Sequence, residues 1–374
     1  MKLKMGIVGI GSMGNTHIKN VINGLVKNVE ISCLCDIEVD KCHKANADYG
    51  LNAHIFTDYK EMIDSKLCDF VFVVTPHYSH PEIAIYALEH DTHVIIEKPA
   101  AVYTKQLKYL NELSLSKPNL KFGIMYNQRT NPIYQKAKQL VAEGELGEII
   151  RLNWIITNWY RSNAYYRSGG WRAKWATEGG GVLLNQDPHQ LDLLQWIGGM
   201  PEKITSFLKF GSRRNIKVED DVTCYLEYKN GATGVFVSSV VEYPGTNRFE
   251  ISGTKGQIII ENGKLVFNKL IIDEREFNEK NTAQFGKPEY EKIVFDLSEN
   301  LWGGQHAELL QNYVNSILND EELLAPGIEG INGLIISNAM HLSTLKNKTI
   351  ILDEIESENF EEELNKLIED EQNA

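Results

Sequence analysis

A chain of 374 residues, 43% hydrophobic and 24% charged, is long enough for two domains with sizeable cores and has the composition of an ordinary globular protein. The net charge of −13 is unevenly spread. Residues 353–374 hold ten carboxylates and one lysine, Lys366, which leaves about −4 for the rest, and no basic stripe suited to nucleic acid is visible. Five cysteines suit a reducing compartment, no apolar run approaches the roughly 18 residues needed to cross a bilayer, and the cytoplasm is the expected location.

The first apolar run (Met5, Ile7, Val8) breaks into Gly9-x-Gly11-x-x-Gly14, and a helical pattern follows with Ile18, Val21, Ile22 and Leu25 on one face. In that order the glycines serve a tight turn, a close approach of backbone to a pyrophosphate, and close packing of helix on sheet. A helix starting at Ser12, Met13 and Gly14 aims free N–H groups and its positive dipole end at phosphates. A second strand, Ile31 to Cys35, ends in Asp36, about 20 residues beyond the glycines, where an acid hydrogen-bonds ribose hydroxyls and repels a 2′-phosphate. The cofactor expected is therefore NAD rather than NADP. Cys33, Cys35, Cys42 and His43 have the residue types of a zinc site, but two of the cysteines share one face of a buried strand, so no metal is expected.

Alternating helix and strand continue. Residues 69–76 form a near-continuous apolar run stopped by Thr75, Pro76 and His77, a helix covers 82–89, and a strand from His93 runs toward Glu97, Lys98 and Pro99. With a further strand at 121–126, residues 1–125 read as a doubly wound, Rossmann-type parallel domain. Beyond it the pattern changes. A long strand is expected over 148–160, hairpins around Asn230-Gly231, Gly253–Gly256 and Asn262-Gly263, and a polar, irregular insertion over 268–300. Residues 126–374 thus read as an α+β domain on a large, mainly antiparallel open sheet, closing with an acidic amphipathic helix that carries Phe360, Leu364, Leu367 and Ile368. The fold class is α/β overall.

Lys98 ends a parallel strand at the carboxyl edge of the sheet, where ligands bind in open α/β folds; the alternative is a surface lysine whose stem lies along apolar surface. Residues 178–192 join three glycines to Asn185, Asp187 and His189, with Pro188 suited to a helix's first turn. Asn185 and His189 are four apart and share a helix face, and their polar setting favours a functional over a buried structural histidine. Trp154, Trp159, Tyr160, Tyr165, Tyr166, Trp171 and Trp175 crowd 22 residues among Arg161, Arg167, Arg172 and Lys174. Such rings pack on sugar or inositol faces, or else anchor a subunit interface; the basic residues leave open a uronate or phosphorylated sugar.

The glycine motif, Val74-Thr-Pro-His77 with His80, Glu97-Lys-Pro99, residues 126–132, Gly144–Gly147 and the 179–192 block together resemble the Gfo/Idh/MocA oxidoreductases. The resemblance implies hydride transfer between NAD(P) and a sugar, sugar derivative or cyclic polyol, and a C-terminal sheet that makes oligomer contacts, a homodimer or homotetramer. It implies Lys98 and His189 as catalytic residues and Gly9, Gly11, Ser12, Met13, Gly14, Asp36, Thr75, Pro76, His77, His80, Glu97 and Lys98 as cofactor contacts. Asn185, Tyr126, Trp159, Arg172 and Trp175 are the candidate substrate contacts. Many relatives carry aspartate where this chain has Asn185, so acid–base work falls on His189 and Lys98. Two other activities occur among relatives: an NAD-assisted glycosidase that oxidises a ring carbon transiently, and a non-catalytic regulator that binds NAD and sugar.

Overall fold

The computed structural model describes residues 2–297 and 305–373, which gather into two compact units. The first comprises Met1–Thr130, Thr177–Gly179 and Gly304–Leu334; the second comprises Asn131–Ala176, Gly180–Gly303 and Ile335–Ala374.

In the first unit six strands, β1 (Leu3–Val8), β2 (Val29–Cys35), β3 (His54–Phe56), β4 (Phe70–Val73), β5 (His93–Ile96) and β6 (Phe122–Ile124), pair in parallel in the order β3-β2-β1-β4-β5-β6. Parallel neighbours need crossovers, supplied by α1 (Ser12–Ile22), α2 (Val39–Tyr49), α3 (Tyr59–Asp64), α4 (His80–Glu89) and α5 (Lys105–Ser116). Every residue of β4 is buried, as expected of a strand covered on both faces. The order reverses between β1 and β4, which creates the switch-point crevice at the carboxyl ends of those strands.

The second unit holds α6 (Pro132–Ala142), α7 (Asn163–Arg167), α8 (Pro188–Gly198) and a nine-stranded sheet. Its strands are β7 (Ile149–Ile156), β8 (Lys203–Phe210), β9 (Glu219–Glu227), β10 (Thr233–Ser239), β11 (Asn247–Gly253), β12 (Gly256–Glu261), β13 (Lys264–Leu270), β14 (Tyr290–Asp296) and β15 (Ile350–Ile351). They are ordered β14-β13-β12-β11-β7-β10-β9-β8-β15, and only β7 and β10 run parallel. Inward residues alternate with outward ones. Trp154 is fully buried, stacks on its cross-strand partner Phe249 at 4.4 Å, and donates from Nε1 to Asn247 Oδ1 at 3.1 Å, a burial that contributes about 2–3 kcal/mol.

Two expectations need correction. The strand expected over 148–160 stops at Ile156, because both neighbours end there: β10 at the Ser238–Ile156 pair and β11 at the Asn247–Ile156 pair. Trp159 and Tyr160 therefore leave the sheet. Residues 268–297 are only partly irregular. They complete β13, form α9 (Glu274–Lys280), capped by Asp273 Oδ1 on the Arg275 N–H at 2.9 Å, and then form β14. The polarity that hides β14 in the sequence is that of a charged edge strand. The expectation over 298–300 lies outside the described residues.

From α10 (Gln305–Asn319) the chain enters α11 (Gly330–Lys346), which carries it from the first unit to the second. α12 (Ile355–Glu358) and α13 (Phe360–Asn373) follow, α13 with Phe360 and Leu364 buried. Among the described residues no helix is long and apolar enough to cross a membrane.

Candidate active site

In the first unit the turn between β1 and α1 is shaped by two close approaches and one opening. Gly9 has φ +97°, and a Cβ there would lie 2.6 Å from the Val74 carbonyl oxygen; a Cβ on Gly14 would lie 2.2 Å from the Gly9 carbonyl oxygen. A Cβ on Gly11 would meet nothing within 4 Å. Gly11 and Ser12 are exposed, Met13 is half-buried, and no side chain caps the start of α1. The helix thus opens with N–H groups that no side chain caps, at an exposed turn suited to an anion. Asp36, almost buried at the tip of β2, is fixed by two backbone donors: Ile10 N–H to Oδ2 at 2.8 Å and Glu38 N–H to Oδ1 at 2.9 Å. This cradle fits a dinucleotide, and the carboxylate favours NAD over NADP.

Behind the loop after β5, Glu97 accepts from Lys98 N–H at 3.1 Å and meets buried His17 Nε2 at 2.7 Å. Burial alone would raise the Glu97 carboxyl, but the hydrogen bond and charge of His17, with His306 and Lys98, hold it down at about 2. Glu97 therefore supports the loop from behind. Between Val94 and Val102, Lys98 is the one residue that is not buried. The loop after β4 brings half-buried Thr75 and exposed Pro76 to the same edge. His77 and His80 are buried, His77 Nδ1 on Glu178 O at 2.9 Å, and His80 on Pro99 O at 2.8 Å and Thr75 O at 2.7 Å. His80 thus joins the loops after β4 and β5.

In the second unit residues Val182–Gln186 form a π-helical turn, marked by Asp187 N–H reaching Val182 O at 2.8 Å, and α8 starts at once with Pro188 in its first turn. From Gly180 to Gln195 every residue is buried except Asn185 and His189. The turn is held by Glu219 on β9, fully buried, whose Oε1 accepts from Gly181 N–H at 2.8 Å and Leu183 N–H at 3.0 Å, while His341 of α11 lies 3.0 Å from Oε2. A Cβ on Gly181 would sit 2.2 Å from the Glu219 carbonyl oxygen, so glycine is required for this approach. Sequence reasoning passed over Glu219 and His341, and no local pattern links positions so far apart in the chain.

The substrate candidates divide. Arg172 is half-buried and donates from Nη1 to the Tyr165 hydroxyl at 2.7 Å; the amides of Gln186 and Asn185 approach the same oxygen at 3.2 and 3.5 Å. Trp159 is half-buried with the Arg161 guanidinium 5.4 Å from its ring centre. Trp175 and Tyr126 are each 2% exposed. Trp175 Nε1 donates to Lys217 O at 3.1 Å, and the Tyr126 hydroxyl reaches Gly330 O at 3.5 Å. Asp187 is fully buried; burial, with the charge of Glu219, pushes its carboxyl up to about 8. Among the described residues the cysteines are all buried and free, and no group of three or more His, Cys, Asp or Glu could hold a metal ion.

Fold and cradle define an NAD-binding oxidoreductase architecture, and residues 3–121 match the oxidoreductase-family model for an NAD-binding Rossmann fold. Residues 134–259 match the GFO/IDH/MocA C-terminal domain. The chain belongs to the Gfo/Idh/MocA family. It is 30% identical over 148 residues to an inositol 2-dehydrogenase of Salmonella typhimurium, a match covering 40% of this chain and 44% of that protein, so it spans less than half the length of that relative. To an inositol 2-dehydrogenase of Corynebacterium glutamicum it is 26% identical over 301 residues, covering 76% and 74%. Among solved structures, the WlbA dehydrogenase from Bordetella pertussis, determined with NADH and UDP-GlcNAcA, shares the fold with a TM-score of 0.77 at 23% identity over 94% of this chain and 99% of that one.

Proposed function

We propose that the protein is an NAD-dependent dehydrogenase that exchanges hydride with a ring hydroxyl or ketone of a sugar, sugar derivative or cyclic polyol. The observation that carries this is Lys98, the one unburied side chain in the run after β5, in the same sheet as the dinucleotide cradle. Family membership and the inositol dehydrogenases among the relatives support it.

Gly9, Gly11, Gly14 and the first N–H groups of α1 would hold the pyrophosphate, and Asp36 the adenosine ribose. Accepting a hydride is the chemistry that NAD supplies when bound. Neutral His189 takes the proton of the substrate hydroxyl, and the Lys98 ammonium stabilises the oxygen as negative charge develops on it. Asn185 is uncharged, so it orients a hydroxyl through its amide and leaves the proton to His189. In reverse the same groups reduce a ketone. For assembly, the reading is a homodimer or homotetramer joined through the outward face of the nine-stranded sheet, where Phe207 is 64% and Tyr225 41% exposed; sedimentation of the intact protein tests it.

The decisive experiment incubates the protein with NAD and a panel of inositols, sugars and glycosides, following NADH at 340 nm, roughly its absorbance maximum, and analysing products. Accumulating NADH supports the dehydrogenase. A released aglycone without NADH replaces it with the transient-oxidation glycosidase.

A further inference from the structure

The loop that follows β7 and the turn between β8 and β9 bring together three half-buried arginines, Arg161, Arg172 and Arg214, that form no ion pair with a carboxylate among the described residues. Three other arginines do pair with carboxylates: Arg129 with Glu329, Arg248 with Glu250 and Glu261, and Arg275 with Glu148. The half-buried three instead bond to oxygens without charge. Arg161 donates to Tyr160 O at 3.0 Å, Arg214 to Arg161 O at 2.7 Å, and Arg172 to the Tyr165 hydroxyl at 2.7 Å. Arg161 and Arg172 both lie over the Tyr165 ring, 5.1 and 4.5 Å from its centre. Asp187, whose ionisation Arg161 favours, stays largely protonated near neutrality and offsets little of this charge.

The hydrogen-bond inventory points the same way. The phenol oxygen of Tyr165 accepts from Arg172, and the side-chain amides of Gln186 and Asn185 lie 3.2 and 3.5 Å from it. Two guanidiniums meet at this phenol, and like charges gathered together repel one another. A neutral hydroxyl can accept one of these bonds but cannot offset the charge. A carboxylate or phosphate does both, in the planar, forked geometry that arginine matches best.

We propose that Arg172, with Arg161 and Tyr165, binds an anionic group, a carboxylate or a phosphate, carried by the sugar substrate. The assignment to substrate rests on the dehydrogenase reading, through Asn185, whose amide meets the same phenol oxygen. D-glucose, D-glucuronate and D-glucose 6-phosphate separate the neutral case from the two anionic ones. Calorimetric titration into the full-length protein should show one anionic sugar binding about tenfold or more tighter than glucose. Arg172→Gln should erase that preference and Arg172→Lys restore part of it, with thermal midpoints unchanged. Glucose binding as tightly as both anions, failure of both anions to bind at about 10 mM, or equal weakening of all three sugars in Arg172→Gln overturns the proposal. NADH formed with equal kcat/KM from neutral and anionic sugars removes the anion site and keeps the dehydrogenase. Anion binding through Arg172 with no NADH from any sugar does the reverse.

Discussion

β4 and β8 are both strands, yet they are buried in different ways. All four residues of β4 are enclosed, whereas β8 alternates, with Phe207 exposed between buried Ser206 and Leu208. The first sheet is covered on both faces and the second on one, and function is built differently on each. In the first unit the dinucleotide cradle is backbone geometry, so it is written in adjacent residues: a turn, an opening and a helix start within Gly9–Gly14. In the second it is side-chain chemistry assembled from the loop after β7, the π-helical turn, β9 and α11.

The largest expected effect is on the side chains proposed to handle the proton. Lys98→Ala and His189→Ala should each lower kcat about 10²- to 10⁴-fold while the protein still binds NADH, measured by fluorescence titration and steady-state rates. Full activity in either variant on the true substrate would end the mechanism.

The glycines sharpen the contrast. Gly14→Ala drives a methyl into the Gly9 carbonyl and should cost about 2–4 kcal/mol of stability in urea melts. Gly11→Ala places a Cβ with no heavy atom within 4 Å, so it should leave the melt within about 0.5 kcal/mol and weaken NADH binding about tenfold or more. Equal effects on stability from the two would mean that Gly11 is part of the packing and not of the cradle.

The smallest effect concerns Asp187, and its sign follows from the raised carboxyl. Between about pH 4, where an unfolded aspartate ionises, and about pH 8, the folded protein keeps a proton that the unfolded chain releases. Stability contributed below that window is therefore lost as pH rises through it. From pH 5 to 8 the wild type should lose on the order of 2 kcal/mol more than Asp187→Asn. Parallel pH profiles would show that the carboxyl is ionised in the fold.

These differences explain what the sequence disclosed. The cradle and the parallel strands were legible because each lies within a short window with a backbone reason for its spacing. Residue type signals that Tyr126 and Trp175 can stack but not how deeply they sit, and both are buried. β14 was missed because an edge strand needs charge more than alternation. Glu219 and His341 were missed because Glu219 holds Gly181 and Leu183, and His341 meets Glu219, across long separations, and the return of Gly304–Leu334 to the first unit has no local mark at all.

The burial of 180–195 at all but two positions has a consequence for anyone wishing to retarget the enzyme. Randomising that segment would mostly yield collapsed proteins, since only Asn185 and His189 lie outside the buried interior, and His189 is the proposed base. A library meant to alter substrate choice is better spent on the half-open loop carrying Trp159, Arg161, Tyr165 and Arg172, the loop proposed to recognise the substrate.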